Sequence, residues 1–119
     1  PVSVATMSRW FSPQMYSTAA MSPWQNMLCA TRPDGYIGCA HAISGTDFMT
    51  TTSALRLPVM GIAGDHDSST PQDLVRETLD LIPGSSFHII RGAGHLPCVE
   101  QPAEFAHLLS DFIRATGHI

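Results

Sequence analysis

The chain has 119 residues, 44% hydrophobic and 13% charged, a composition that builds a single small globular core and excludes a disordered segment. Its net charge is −4, it has no Lys, and its six Arg are scattered, so it lacks the clustered basic face that a nucleic-acid partner needs. No apolar run approaches the roughly 20 residues of a membrane span, which excludes a membrane partner of that kind.

Cys29, Cys39 and Cys98 are odd in number and form no C-x-x-C pair. That argues against a disulfide framework or zinc ribbon and for reduced thiols in a cytoplasmic protein. The opening stretch from Pro1 to Met7 has no initiator Met and neither the basic nor the apolar region of a signal peptide. The expectation is a chain that starts at a cleavage point or at an imposed boundary.

Residues 1–55 are rich in Met, Ala, Ser, Trp and Pro and poor in charge. Breakers at Ser12-Pro13, Ser22-Pro23, Arg32-Pro33-Asp34-Gly35 and Ser44-Gly45 divide this half into short helices. Such pieces are expected to pack over another body as a cap. Residues 56–119 are more regular. Leu57–Gly64 is an apolar run ending in Gly, the signal of a buried strand. Thr70-Pro71 predicts an N-cap followed by Pro at the first helical position, with Asp73 in the first turn. Leu74, Val75, Thr78, Leu79 and Ile82 recur at helical spacing, and Pro83-Gly84 ends the helix. Ser86–Ile90 reads as a second strand. Gln101-Pro102 opens a last helix with an apolar face of Phe105, Leu108, Leu109, Phe112 and Ile113.

Strand, helix, strand, helix implies an α/β fold with parallel strands joined by a crossover helix. Parallel strands are normally buried on both faces, and two alone cannot achieve this. Further strands are therefore expected from a partner chain or from an earlier part of the same gene.

Two clusters fall at the carboxyl ends of the strands, where open α/β sheets collect their functional groups. Asp65, His66 and Asp67 follow the first strand, and Gly92, Ala93, Gly94 and His95 follow the second. Alone, the aspartates fit polar turn residues and His95 a surface loop. Together on one edge, Asp67 and His95 fit an acid that orients a general base. His41, His66, His88, His107 and His118 show no metal-ligand spacing, and the glycines near Asp67 and His95 form no phosphate-binding fingerprint. The six Met and two Trp read as packing residues, and Cys98 as a packed loop residue.

Gly64-x-x-Asp67-x-x-Thr70-Pro71, then Gly92-Ala93-Gly94-His95 and Glu100-Gln101-Pro102-x-x-Phe105, resemble the acid and base segments of α/β-hydrolases. That family orders its triad Ser, acid, His along the chain. The resemblance implies Asp67 as the acid and His95 as the base, and does not match Asp65 to the acid position. Arg9-Trp10-Phe11-Ser12-Pro13 and Gly35-Tyr36-x-Gly38-Cys39 resemble the cap of 3-oxoadipate enol-lactonases. The implied layout is a C-terminal portion of the fold, with residues 1–55 as part of the helical cap and residues 56–119 as the last two strands and helices. No cofactor or metal is implied.

None of the twelve serines lies in a Gly-x-Ser-x-Gly elbow. The Ser nucleophile and the oxyanion hole are therefore expected on an N-terminal hydrolase segment or chain, which becomes a required partner. The implied substrate is a small-molecule lactone or ester, most specifically 3-oxoadipate enol-lactone, with Arg9 facing its carboxylate and Trp10 walling the pocket. The competing readings are a carboxylesterase, a carbon–carbon bond hydrolase, or a non-catalytic binding module.

Overall fold

The computed structural model describes residues 2–16 and 18–118. The first half is a succession of helices: α1 (Val2–Trp10), α2 (Pro13–Tyr16), a single 3-10 turn (Ala19–Met21), α3 (Ser22–Ala30), α4 (Pro33–Ser44) and α5 (Met49–Ser53). The prolines start helices as well as ending them. Pro23 and Pro33 lie in the first turns of α3 and α4, where a missing N–H leaves no bond unmade. Arg32-Pro33-Asp34-Gly35 is thus a boundary only at Arg32, since Asp34 and Gly35 are already inside α4.

The second half contains β1 (Met60–Gly64), α6 (Gln72–Asp80), β2 (Ser86–Ile90), α7 (Pro97–Glu100) and α8 (Pro102–Ala115). The strands pair in parallel, with Met60 opposite Ser86 and Gly64 opposite Ile90. β1 is shorter than the apolar run predicts. Pro58 has no N–H to give a ladder, and pairing starts where the Val59 carbonyl accepts from the Ser86 N–H at 3.0 Å. α6 ends at Asp80 rather than at the predicted Pro83-Gly84 stop, so Ile82 lies outside it, and Gly84 at φ +77° serves the turn into β2.

Thr70 is not the helix cap that the sequence suggests. Pro71 holds the N-cap position of α6 with extended backbone, and no side chain caps the helix. The Thr70 hydroxyl has been drawn elsewhere, as described below. Cys98 also differs from the packed loop residue that the sequence suggests. It is exposed, and it lies on the short helix α7.

The buried apolar residues join the two halves: Met7 and Phe11 from the α1 end, Ala63 and Ile90 from the strands, Leu79 and Ile82 from the crossover, and Ala93 from the loop after β2. The body around them is open. Its radius of gyration is 16.0 Å, against about 13.5 Å for a closed domain of this length. Its accessible surface is 7902 Å², against about 6,300 Å² for a compact chain of this mass. No residue of α8 is buried despite its apolar stripe. Ile89 in β2 and Leu74 in α6 are exposed. Two parallel strands and their helices leave such faces uncovered, as their geometry dictates.

Candidate active site

The two loops at the carboxyl edge of the sheet continue the strand pairing beyond the strands. Asp65 N–H donates to the Ile90 carbonyl at 3.1 Å, and His66 N–H to the Ala93 carbonyl at 2.9 Å. The Asp65 Oδ1 accepts in return from the N–H of Gly92 at 2.7 Å and of Ala93 at 3.4 Å. Gly64 permits this approach, because a Cβ there would fall on the carbonyls of Ala93 and Gly94. Asp65 is thereby a loop fastener, while Asp67 turns toward His95.

Asp67 and His95 meet with Oδ2 3.0 Å from Nδ1. The Asp67 side chain is 5% exposed and that of His95 32%. Asp67 is further held by its own loop. Its Oδ1 accepts from the N–H of Ser69 at 2.7 Å and of Thr70 at 3.0 Å, and the Thr70 hydroxyl donates to Oδ2 at 2.9 Å. Thr70 Oγ1 also lies 3.2 Å from His95 Nδ1. Burial alone raises a carboxyl group's pKa, but here the hydrogen bonds from His95, Thr70 and Ser69 together outweigh it and hold Asp67 below the ordinary value. An ionised Asp67 keeps the His95 proton on Nδ1. Nε2 is left with its lone pair, able to take a proton from a nearby hydroxyl.

The main chain of His95 is anchored separately. Its N–H donates to the Trp10 carbonyl at the end of α1 at 2.7 Å. The Trp10 and His95 rings lie 6.5 Å apart, centre to centre, at 32°. Trp10 is therefore next to His95. Arg9, on the last turn of α1, is exposed and forms no ion pair among the described residues. Beside Asp67 an open depression of about 630 Å³ is lined by Ser8, Phe11, Pro13, Tyr16, Asp65 and His66, among others. Among the described residues no group of three His, Cys, Asp or Glu is placed to hold a metal ion. No helix among them is long and apolar enough to cross a membrane.

Two residues at the site escape sequence reasoning. Glu100 is visible there only as the first residue of the Glu-Gln-Pro segment, yet its carboxylate takes three donors from two sides of the site. Thr70 is visible as a helix start. The Asp67-x-x-Thr70 spacing is the available signal for its bond to Asp67.

No protein-family profile matches the chain. It is similar to 3-oxoadipate enol-lactonase 2 of Acinetobacter baylyi, with 27% identity over 109 residues, which cover 90% of this chain and 40% of that protein. It is also 30% identical over 73 residues to a proline iminopeptidase of Lacticaseibacillus rhamnosus, covering 61% of this chain and 25% of that protein. Among solved structures, a thermophilic esterase from Thermogutta terrifontis superposes with a TM-score of 0.89 at 22% identity, over 97% of this chain and 43% of that one. The enol-lactonase from Burkholderia xenovorans gives 0.88 at 22% identity, over 95% and 44%. The chain thus spans less than half the length of the proteins it matches. It has the α/β-hydrolase fold and corresponds to the C-terminal portion of it, two parallel strands with their helices preceded by a run of short ones.

Proposed function

We propose that this chain supplies the acid and base of a hydrolase that cleaves an ester or lactone, with 3-oxoadipate enol-lactone as its substrate. The observation that carries the reading is the buried Asp67 carboxylate 3.0 Å from His95 Nδ1, at the carboxyl edge of parallel strands. The likeness to enol-lactonases over most of the chain supports the substrate class.

In this reading a Ser hydroxyl from a separate nucleophile-bearing segment attacks the lactone carbonyl carbon. His95 Nε2 takes the hydroxyl proton as the Ser–carbonyl bond forms, and Asp67 stabilises the imidazolium. N–H groups of that segment stabilise the oxyanion, which commonly contributes more to the rate than any other interaction in such reactions. The ring C–O bond then breaks, His95 returns the proton to the enol oxygen, and the enol becomes a ketone. Water, deprotonated by His95, releases the acid from Ser. Residues 1–55 form part of the cap over this site and residues 56–119 the end of the core. Trp10 walls the pocket. Arg9, one residue away, faces the substrate carboxylate, as a cationic partner should. No cofactor enters these steps.

The test is a substrate panel on the natively purified protein: an enol-lactone, a simple aryl ester and an N-terminal prolyl amide. Preference for the lactone, with loss of turnover in His95→Ala, upholds the reading. Preference for the ester makes the protein a carboxylesterase with the same acid and base, and preference for the prolyl amide points to the peptidase-like relatives. No turnover of any member, with a second polypeptide bearing Gly-x-Ser-x-Gly present by intact mass, would leave only a binding module.

A further inference from the structure

Glu100 lies at the end of α7, five residues beyond His95, and its carboxylate bonds to Ser12 and Gly94 rather than to the Asp67 or His95 side chain. Its carboxylate nevertheless spans the site. On one side Oε1 accepts from the Gly94 N–H at 2.7 Å, next to His95 in the chain. On the other side it accepts from the Ser12 N–H, at 3.2 Å to Oε1 and 3.0 Å to Oε2, and from the Ser12 hydroxyl at 2.5 Å to Oε2. Ser12 is buried, at 1% exposure, in the corner between α1 and α2. The same corner supplies the Trp10 carbonyl that accepts from His95 N–H. The space between the two strands of chain is filled. A Cβ on Gly94 would lie 2.5 Å from the Trp10 carbonyl oxygen and 3.0 Å from Glu100 Oε1.

We infer that Glu100 is a positioning residue that clamps the His95 loop to the α1–α2 corner, so that the placement of Nε2 depends on the seating of α1. The inference rests on the hydrolase reading for its kinetic consequence, but the clamp itself is a statement about the loop. A carboxylate suits the task because it accepts only. All three groups facing it are donors, and ionised acceptors make the stronger hydrogen bonds. Without it the Gly94 and Ser12 N–H groups, both in a part-buried setting, lose their partner at once. On the α1–α2 side the His95 main chain is then held by the Trp10 carbonyl, while Asp65 and the His66 N–H still fasten the other side of the loop. A displacement of about 1 Å in a catalytic group lowers turnover on the order of 100-fold.

The experiment combines backbone hydrogen exchange with steady-state kinetics on the natively purified protein, for wild type, Glu100→Ala and Glu100→Gln. In Glu100→Ala the Gly94 and Ser12 amides are expected to exchange about tenfold faster, while Ala63 and Ile89 in the strands keep their rates. The turnover number falls on the order of 100-fold with KM nearly unchanged, the signature of an interaction needed at the transition state. Glu100→Gln keeps the Oε1 acceptor for Gly94, and at 3.2 Å for Ser12, but sets an amide NH₂ in the place of Oε2 against the Ser12 N–H. It therefore restores Gly94 protection and part of the turnover, and leaves Ser12 exchange between that of wild type and that of Glu100→Ala. This variant carries the test if Glu100→Ala does not fold. Unchanged exchange at Gly94 and Ser12 overturns the clamp, as does an equal acceleration across β1 and β2, which would make Glu100 a general support of the fold. A wild-type protein without hydrolase activity removes the kinetic arm only. Local acceleration then upholds the clamp while the hydrolase reading falls.

Discussion

Replacing Asp67 by Asn tests the role of the acid most directly, because the surrounding bonds dictate how the new side chain must sit. Asp67 Oδ1 accepts from two backbone N–H groups, Ser69 at 2.7 Å and Thr70 at 3.0 Å. Only the carbonyl oxygen of Asn can occupy that place, since its NH₂ would set donor against donor. The NH₂ is therefore forced to the Oδ2 position, 3.0 Å from His95 Nδ1. There it can only donate, so Nδ1 must offer its lone pair and the imidazole proton moves to Nε2. In the proposed mechanism His95 then faces the nucleophile with a proton where it needs a lone pair. A loss of about 10⁴-fold in turnover number is expected, as for the same change in a serine protease triad, or about 5.4 kcal/mol of transition-state stabilisation. Such a loss depends on the tautomer, so the substitution should leave the fold and KM largely intact. The assay is hydrolysis of the enol-lactone by the natively purified protein, with circular dichroism as the check on folding. Activity within about tenfold of wild type, or an equal loss in Asp65→Asn, would refute the assignment of Asp67 as the orienting acid.

Thr70→Val removes the hydroxyl bond to the ionised Asp67 and should lower stability by about 1.5 kcal/mol in a denaturant titration, with Thr70→Ser close to wild type. If Thr70 were a helix cap instead, Thr70→Asn would be tolerated equally well. The added methyl in Gly64→Ala meets the backbone carbonyls of Ala93 and Gly94, and in Gly61→Ala only the tip of the Leu79 side chain. Melting experiments should show Gly64→Ala destabilised by about 2–3 kcal/mol or more and Gly61→Ala by about 1 kcal/mol. Asp67 carries a folded-state pKa below the ordinary 3.8. Its ionised form thus favours the folded state above that value, and this contribution disappears as the pH falls through the lower, folded-state pKa. Denaturation curves from pH 6 to pH 2 should show this acid loss in wild type and a weaker one in Asp67→Asn, and parallel curves would contradict the shift.

Much of the core half was legible from local signals. The Ser86–Ile90 strand and the last helix opened by Gln101-Pro102 depend on neighbours in sequence, and both stand in the structure as the residues imply, whereas the helix before Pro83-Gly84 ends earlier, at Asp80. The approach of Asp67 to His95 was legible too, because parallel strands carry their end loops to one edge whatever their detailed packing. Side-chain partners were less accessible. Thr70 looks like a cap because Ser and Thr before Pro commonly are. A buried carboxylate three residues earlier offers its hydroxyl a stronger acceptor, and the sequence does not say which will win.

The sequence by itself determined the order of elements, the parallel connection and the types of residue brought to the carboxyl edge, since each follows from periodicity, Pro and Gly positions and residue chemistry. Only the tertiary structure decided that Glu100 joins Gly94 to Ser12, positions 88 residues apart in the chain for the Ser12 contact. It alone decided that the end of α1 holds the His95 main chain, and that Asp65 fastens the loops while Asp67 meets the imidazole. These contacts depend on how non-neighbouring backbones pack, and a carboxylate's charge is the same whichever donors the fold delivers to it.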